Sequence, residues 1–140
     1  MESFEVRTLG RDGMVEITDR VAQAIRRSAR RGGVVQVFVM HTTAGLCVNE
    51  NADPDVVTDL LAEFDRMVPW EQPFHRHAEG NTAAHVKAIL TGNSVCVPLK
   101  ANGRLDLGTW QGIYLCEFDG PRTRTVKVVV LEEAQADRSD

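Results

Sequence analysis

Seven consecutive residues, Val34-Val-Gln-Val-Phe-Val-Met40, constrain the fold of this chain more than any other stretch. Their β-branched and aromatic side chains favour a strand, and Gly32-Gly33 separates them from any helix upstream. A run this apolar predicts a strand covered on both faces. It passes directly into His41-Thr-Thr-Ala-Gly-Leu-Cys-Val-Asn-Glu-Asn-Ala-Asp53. That segment sets an imidazole, hydroxyls, carboxamides and carboxylates beside the core. Polar groups in such a position need partners, whether protein, metal or substrate. Residues 41–53 are therefore the first candidate for a site.

The rest of the composition narrows the class. With 140 residues, 43% of them hydrophobic and 26% charged, the chain is expected to form one domain, 1–140. A net charge of -4 argues against nucleic acid as the main partner. No run of about 18 apolar residues exists, so no transmembrane helix and no membrane partner are expected. The start, Met1-Glu-Ser-Phe-Glu-Val6, alternates polar and apolar and lacks the basic and apolar regions of a signal peptide. Cys47, Cys96 and Cys116 are odd in number, far apart and without a CxxC spacing. They read as reduced core residues of a cytoplasmic protein.

Local signals give the element order. Phe4–Leu9 and Met14–Ile17 flank Gly10-Arg-Asp-Gly13 and read as a hairpin. A helix capped by Thr18 or Asp19 follows and runs to Gly32-Gly33, its last turns carrying Arg26, Arg27, Arg30 and Arg31. Cations there suit the carbonyl end of the helix dipole, and a phosphate or nucleic-acid site is the competing reading. Ala44–Val48 is a second strand, and Asp53-Pro54 starts a helix with Asp53 as cap. Its apolar face is Val56, Val57, Leu60, Leu61, Phe64, Met67 and Val68, and Pro69 ends it. Residues 70–80 form a loop. Asn81 or Thr82 caps a short helix that closes at Thr91-Gly-Asn93. Strands follow over Ser94–Leu99, Leu105–Leu107 (after the Asn-Gly turn of Lys100–Arg104), Thr109–Phe118 and Thr123–Leu131. Glu132–Asp140 is polar and expected to fray. Separate strand and helix blocks without βαβ alternation predict an α+β fold with mostly antiparallel sheets. No GxGxxG or P-loop is present.

Three imidazoles come from distinct elements: His41 at a strand end, His77 in a loop and His85 in the first turns of a helix. A helix N-terminus favours the neutral form of His85, the form that ligates metal. With a carboxylate from Glu50, Asp53 or Glu79, these residues suit a catalytic divalent transition metal with a position open to water or a phosphate oxygen. The competing reading makes each of them structural, with His41 bonding a neighbouring strand, Asp53 capping and His85 on a helix surface. Thr42 and Thr43 suit either turn chemistry or an oxyanion. Near the end of the chain, Gln111, Ile113, Leu115 and Glu117 share a strand face. Arg122 and Arg124 suit either a phosphate or an ion pair with Glu117.

Taken together, His41-Thr-Thr-Ala-Gly-Leu46, Asn49-Glu-Asn-Ala-Asp53, His77 to His85 with Val86-Lys87, Gly108-Thr-Trp-Gln-Gly112 and Asp119-Gly-Pro-Arg122 resemble the YjbQ-type family, commonly labelled secondary thiamine-phosphate synthase. The resemblance spans essentially the whole chain. It implies a two-sheet, mostly antiparallel β-sandwich with a few helices, assembled as a homotrimer. It also implies a polar site gathering His41, His77 and His85 with Glu50, near a subunit boundary. The implied activity joins hydroxymethylpyrimidine diphosphate to thiazole phosphate and releases pyrophosphate. A small phosphorylated substrate is then the partner, and a divalent ion of the zinc or magnesium class the cofactor. His41, Glu50 and His85 are the catalytic candidates. Thr42, Thr43, Lys100, Gln111 and Arg122 are the phosphate-binding candidates. A metal-dependent phosphate-ester or amide hydrolase using Glu50 as base, and a non-catalytic small-ligand binder, are the alternatives.

Overall fold

The computed structural model describes residues 1–136. Along these run β1 (Glu2–Arg7), β2 (Gly13–Glu16), α1 (Thr18–Ile25), β3 (Gly33–Val39), β4 (Ala44–Glu50), α2 (Pro54–Met67), α3 (Thr82–Thr91), β5 (Ser94–Leu99), β6 (Gln111–Glu117) and β7 (Thr123–Glu132). The strands make two antiparallel sheets, a four-stranded one ordered β1-β7-β3-β5 and a three-stranded one ordered β2-β6-β4. Their inner faces meet through buried residues such as Val35, Val37, Leu46, Ile113, Leu115 and Val126. On the outer face of the three-stranded sheet, Tyr114 and Cys116 pack with Phe118, with Ala84 and Ala88 of α3 and with Val57 and Phe64 of α2. The chain thus adopts the expected α+β sandwich, with α2 and α3 on one side and α1 packed against the core through Val21 and Ile25.

Several local expectations give way to tertiary constraints. β1 and β2 do not form a hairpin, because β1 pairs with β7 and β2 with β6. The Gly10–Gly13 turn carries the chain between sheets; a turn signal sets a reversal but not a partner. β3 buries Val35, Val37 and Val39 while Gln36 and Phe38, with the following Met40, are exposed. It is covered on one face only, since α2 and α3 pack over the other sheet. α1 stops at Ile25. Thr18, expected to cap it, instead accepts a hydrogen bond from the Ile113 N–H at 2.9 Å and donates to Glu16 at 2.9 Å. Arg27, Arg30 and Arg31 therefore lie beyond the helix. Residues 105–107 form no strand: Leu105 makes a single bridge to Leu99, and the Asp106 N–H donates to the Pro98 carbonyl at 2.9 Å. Cys96 is exposed rather than core, while Cys47 and Cys116 lie 3.5 Å apart at sulfur. The tail expected to fray, Glu132–Asp140, starts inside β7, and the Glu133 N–H still donates to the Gly32 carbonyl at 2.9 Å; positions 137–140 lie outside the described residues. No helix among the described residues is long and apolar enough to cross a membrane.

Two helix starts fix the placement of the site. Asp53 caps α2 as expected, accepting from the Asp55 N–H at 2.9 Å, with Pro54 at the first helical position. Asn81 occupies the cap position of α3 but makes no side-chain cap bond. α3 is held close to β4 at Gly45, where a Cβ would meet the Thr91 hydroxyl and the Gly92 carbonyl, the latter at 2.8 Å. The Leu46 N–H donates to that carbonyl at 2.9 Å. Substituting Gly45→Ala forces α3 off β4 and should cost about 1–3 kcal/mol of unfolding free energy, as overpacking does. Chemical denaturation of the variant measures it, and an unchanged midpoint would contradict this seating of α3.

Candidate functional site

The site is built on the crossing from β6 to β7. β6 ends at Glu117 and β7 starts at Thr123, so residues 118–122 carry the chain from one sheet to the other, through a cis Gly120–Pro121 bond. Glu117 and Arg124 face each other across this crossing, both almost wholly buried. Burying two charges is costly unless every lone pair and proton is engaged. Here Glu117 Oε1 accepts from Arg124 Nε at 2.9 Å and from the Thr8 hydroxyl at 2.7 Å. Glu117 Oε2 accepts from Arg124 Nη2 and from the Phe118 and Asp119 N–H groups at 3.0 and 3.1 Å. Arg124 Nη2 also donates to the Thr43 hydroxyl at 2.9 Å and to its carbonyl at 3.2 Å. The Arg–Glu pair is thus a scaffold that locks Thr43 and the β1 end to the crossing.

Above this scaffold opens a cleft of about 580 Å³, lined by His41, Thr42, Thr43, His77, His85 and Arg122 together with Glu79, Asn81 and Asp119. His77 and His85 stack edge to face, 5.4 Å between ring centres. Asn81 is buried, and its amide N–H groups reach Asp119 at 2.9 Å and Glu79 at 3.3 Å. Asp119 also holds Arg122, whose Nη2 lies 3.0 Å from its carboxylate and whose Nε donates to its carbonyl at 2.7 Å. Arg122 is otherwise exposed, so part of its guanidinium is left to face a ligand. Two carboxylates, an exposed guanidinium and three imidazoles therefore converge. A second recess of about 540 Å³ shares His41, Thr42 and His85, and is completed by Ala44, Ala88 and Ile89. It gives the cleft an apolar lobe.

His41 has a defined state. Its Nε2 accepts the Thr125 N–H at 2.8 Å, which leaves the ring proton on Nδ1 and no free lone pair. Burial and then the Arg124 charge, with Arg122 adding to them and Glu117 opposing, hold its pKa below the usual imidazole range. His41 therefore serves as a neutral hydrogen-bond donor, not as a metal ligand. Among the described residues no three His, Cys, Asp or Glu groups are arranged to hold a metal ion. The three-imidazole metal set does not fit this geometry; His77 and His85 remain as donors on their own.

Three further site residues expected from the sequence lie elsewhere. Glu50 and Gln111 pair with each other at the far end of β4 and β6, on the order of 20 Å along the strand from Ala44 at about 3.4 Å per residue. Glu50 contributes backbone groups there, accepting from the Tyr114 hydroxyl at 3.1 Å, and Gln111 Oε1 accepts from the Gly108 N–H at 2.8 Å. Lys100 follows Leu99, which pairs with Gly33, at the end of β3 away from His41. An extended backbone separates residues that are close in sequence. Thr43 enters the cleft wall but is spent on Arg124. Conversely, Asp119 and Asn81 carry the cleft, although the first falls between two expected strands and the second reads as a helix cap. The acidic residue directly before Gly-Pro-Arg122 was the available signal. Glu79 takes the carboxylate position expected of Glu50.

A family model described as UPF0047 protein YjbQ-like matches residues 2–133. The UPF0047 protein YugU of Bacillus subtilis is 48% identical over 94% of this chain and 98% of its own length. The UPF0047 protein MJ1081 of Methanocaldococcus jannaschii is 41% identical over 91% of each. Among solved structures, an uncharacterized conserved protein of the yjbq/upf0047 family from Clostridium acetobutylicum superposes with a TM-score of 0.89 at 44% identity, covering 94% of this chain and 100% of that one. A hypothetical protein from Aeropyrum pernix K1 gives 0.87 at 35% identity, covering 94% and 98%.

Two outcomes follow from the scaffold. Glu117→Gln keeps the shape but leaves Arg124 buried without a counter-charge, so it should destabilise by about 3–5 kcal/mol, read from denaturant unfolding; a loss below about 1 kcal/mol would be incompatible with this role. His41 has a folded pKa below its unfolded value, so its stabilising contribution is complete above about 6.5 and is lost as pH falls toward the lowered value. The melting temperature of the protein should therefore fall more steeply between about pH 7 and 5 than that of His41→Asn.

Proposed function

The chain belongs to the YjbQ-like UPF0047 family, and from that premise we propose that its cleft binds a small phosphorylated substrate and runs a displacement at a phosphorylated carbon. The observation that carries this reading is the convergence of Arg122, Thr42, His77 and His85 around one opening, with an apolar lobe beside it. A guanidinium, a hydroxyl and imidazole N–H groups are the donors that phosphate oxygens take. The apolar lobe suits the flat, weakly polar ring of a heterocyclic substrate.

In the reaction implied for the family, the thiazole nitrogen attacks the pyrimidine methylene carbon. A C–N bond forms, the C–O bond to the diphosphate breaks, and pyrophosphate leaves with the bonding pair. The charge that grows on the leaving oxygen is what the site must stabilise. Arg122 is assigned to it, held in place by Asp119, which Asn81 holds in turn. His41 donates through Nδ1 from a ring fixed by the Thr125 N–H. Glu79 offers the carboxylate that attracts the electron-poor heterocycle. Among the described residues no three-ligand set for a divalent ion is gathered, so this reading leaves charge neutralisation at the diphosphate to Arg122 and the imidazole N–H groups. The partner assignment is a homotrimer, supported by the exposed apolar side chains Phe38, Met40 and Leu131 on the four-stranded sheet. Sedimentation as a monomer at micromolar concentration would remove it.

Pyrophosphate release with hydroxymethylpyrimidine diphosphate and thiazole phosphate tests the site. Arg122→Gln and His85→Ala should each lower the rate about tenfold or more, while Glu50→Gln and Lys100→Gln stay within about twofold. Loss of activity in Glu50→Gln with none in Arg122→Gln would reverse the assignment. Equal release with water alone would make the activity hydrolysis.

A further inference from the structure

The end of the sandwich opposite the cleft carries a charge concentration that the proposed activity does not use. Arg26, Arg27, Arg30, Lys100 and Arg104 lie there, in two segments that contain no acidic residue, within a chain of net charge -4. Among the described residues none of these five side chains makes an ion pair or a hydrogen bond. Arg31 does, 2.9 Å from Glu132, and Glu132 is also held by the Arg30 N–H at 2.6 Å. The helix dipole does not account for the cluster, because α1 ends at Ile25 with no basic residue in its last turn.

The two segments are brought together by a backbone contact. The Lys100–Arg104 turn closes through Gly103 N–H to Lys100 carbonyl and Lys100 N–H to Arg104 carbonyl bonds, each 2.8 Å. Gly103, at φ 80°, lies so close under Ala29 that a Cβ there would meet the Ala29 carbonyl and the Arg30 nitrogen. Between turn and helix lies a recess of about 350 Å³, with Arg26, Arg104 and Asn102 at its rim and Ile25, Ala29 and Leu105 inside. The Asn102 carbonyl oxygen is spent on the Arg104 N–H at 3.1 Å, so its amide N–H groups remain as donors. A recess with guanidinium and amide donors at the rim and an apolar floor is chemically matched to an anion with an apolar body.

We propose that the recess between α1 and the Lys100–Arg104 turn is a second ligand site, which takes a phosphorylated small molecule. Arg26 and Arg104 hold its phosphate, and Ile25 and Leu105 receive its body. The site is separate from the His41 cleft, on the order of 20 Å away along β3 at about 3.3 Å per residue, and does not depend on the activity proposed for that cleft. Lys100, which has no place in the cleft, closes the turn that carries Arg104.

Inorganic pyrophosphate is the probe, titrated into the ¹⁵N-labelled full chain and followed by amide shifts. Saturable shifts at Arg30 and Gly103 are expected, at a midpoint that rises with added salt. Arg26→Gln with Arg104→Gln should weaken this binding about tenfold for each guanidinium lost, with the melting temperature preserved because both residues are exposed. Arg122→Gln should leave it unchanged. Shifts confined to the His41 cleft, or shifts at Arg30 and Gly103 that survive the double variant, would overturn the proposal. So would a single-stranded RNA oligonucleotide that binds there more than about tenfold tighter than pyrophosphate, since the ligand would then be a polymer.

Discussion

The buried pair of Glu117 and Arg124 is the interaction on which the rest of the molecule depends. A β-sandwich normally holds its sheets together by apolar contact alone, and the remainder of this core does so. Here, at one end, two opposite charges replace that contact. Such a pair gives little net stability over a hydrophobic equivalent, but it tolerates no loss of partner. Its value lies in direction. Apolar side chains pack in many orientations, whereas a carboxylate gripped by a guanidinium, a hydroxyl and two backbone amides fixes the crossing from β6 to β7 in one. Asp119 and Arg122 inherit that fixed geometry.

The cleft is thus organised from beneath, with each exposed group positioned by a less exposed one. Arg122 leans on Asp119, Asp119 on Asn81, and His41 on a backbone N–H of β7. A histidine used as an acceptor inside a sheet is a rigid donor outward. Its lowered basicity follows from the same placement, since burial disfavours the imidazolium and the Arg124 charge adds to that. A donor held rigid before a ligand arrives loses less freedom on binding than a mobile one.

The sheet-and-helix content was legible in the chain because it is written locally. The Asp53-Pro54 helix start, the β3 run and the Thr123–Leu131 strand all follow from neighbours in sequence. What depended on distant partners was not legible. The Phe4 and Met14 segments look like a hairpin, yet each finds a better partner far along the chain, in β7 and β6. The same limit shaped the site. His41, His77, His85 and Arg122 were identifiable as chemistry-bearing residues, and they converge. Glu50, which the resemblance sets with His41, is carried away from it by the seven residues of β4. Asn81 is hidden by its resemblance to a helix cap, and Asp119 by its place between two strands.

Pro98 and the turn that follows β5 have a consequence for assembly. Open sheet edges invite further strands, and β5 is an edge of the four-stranded sheet. Along it, Pro98 has no N–H to offer, and its carbonyl is already taken by Asp106, with Leu105 bridged to Leu99. The outer edge of β4 is treated in kind, the Leu46 N–H being taken by the Gly92 carbonyl. A strand arriving at the β5 or the β4 edge would therefore find backbone groups there already paired, which makes both poor templates for strand addition.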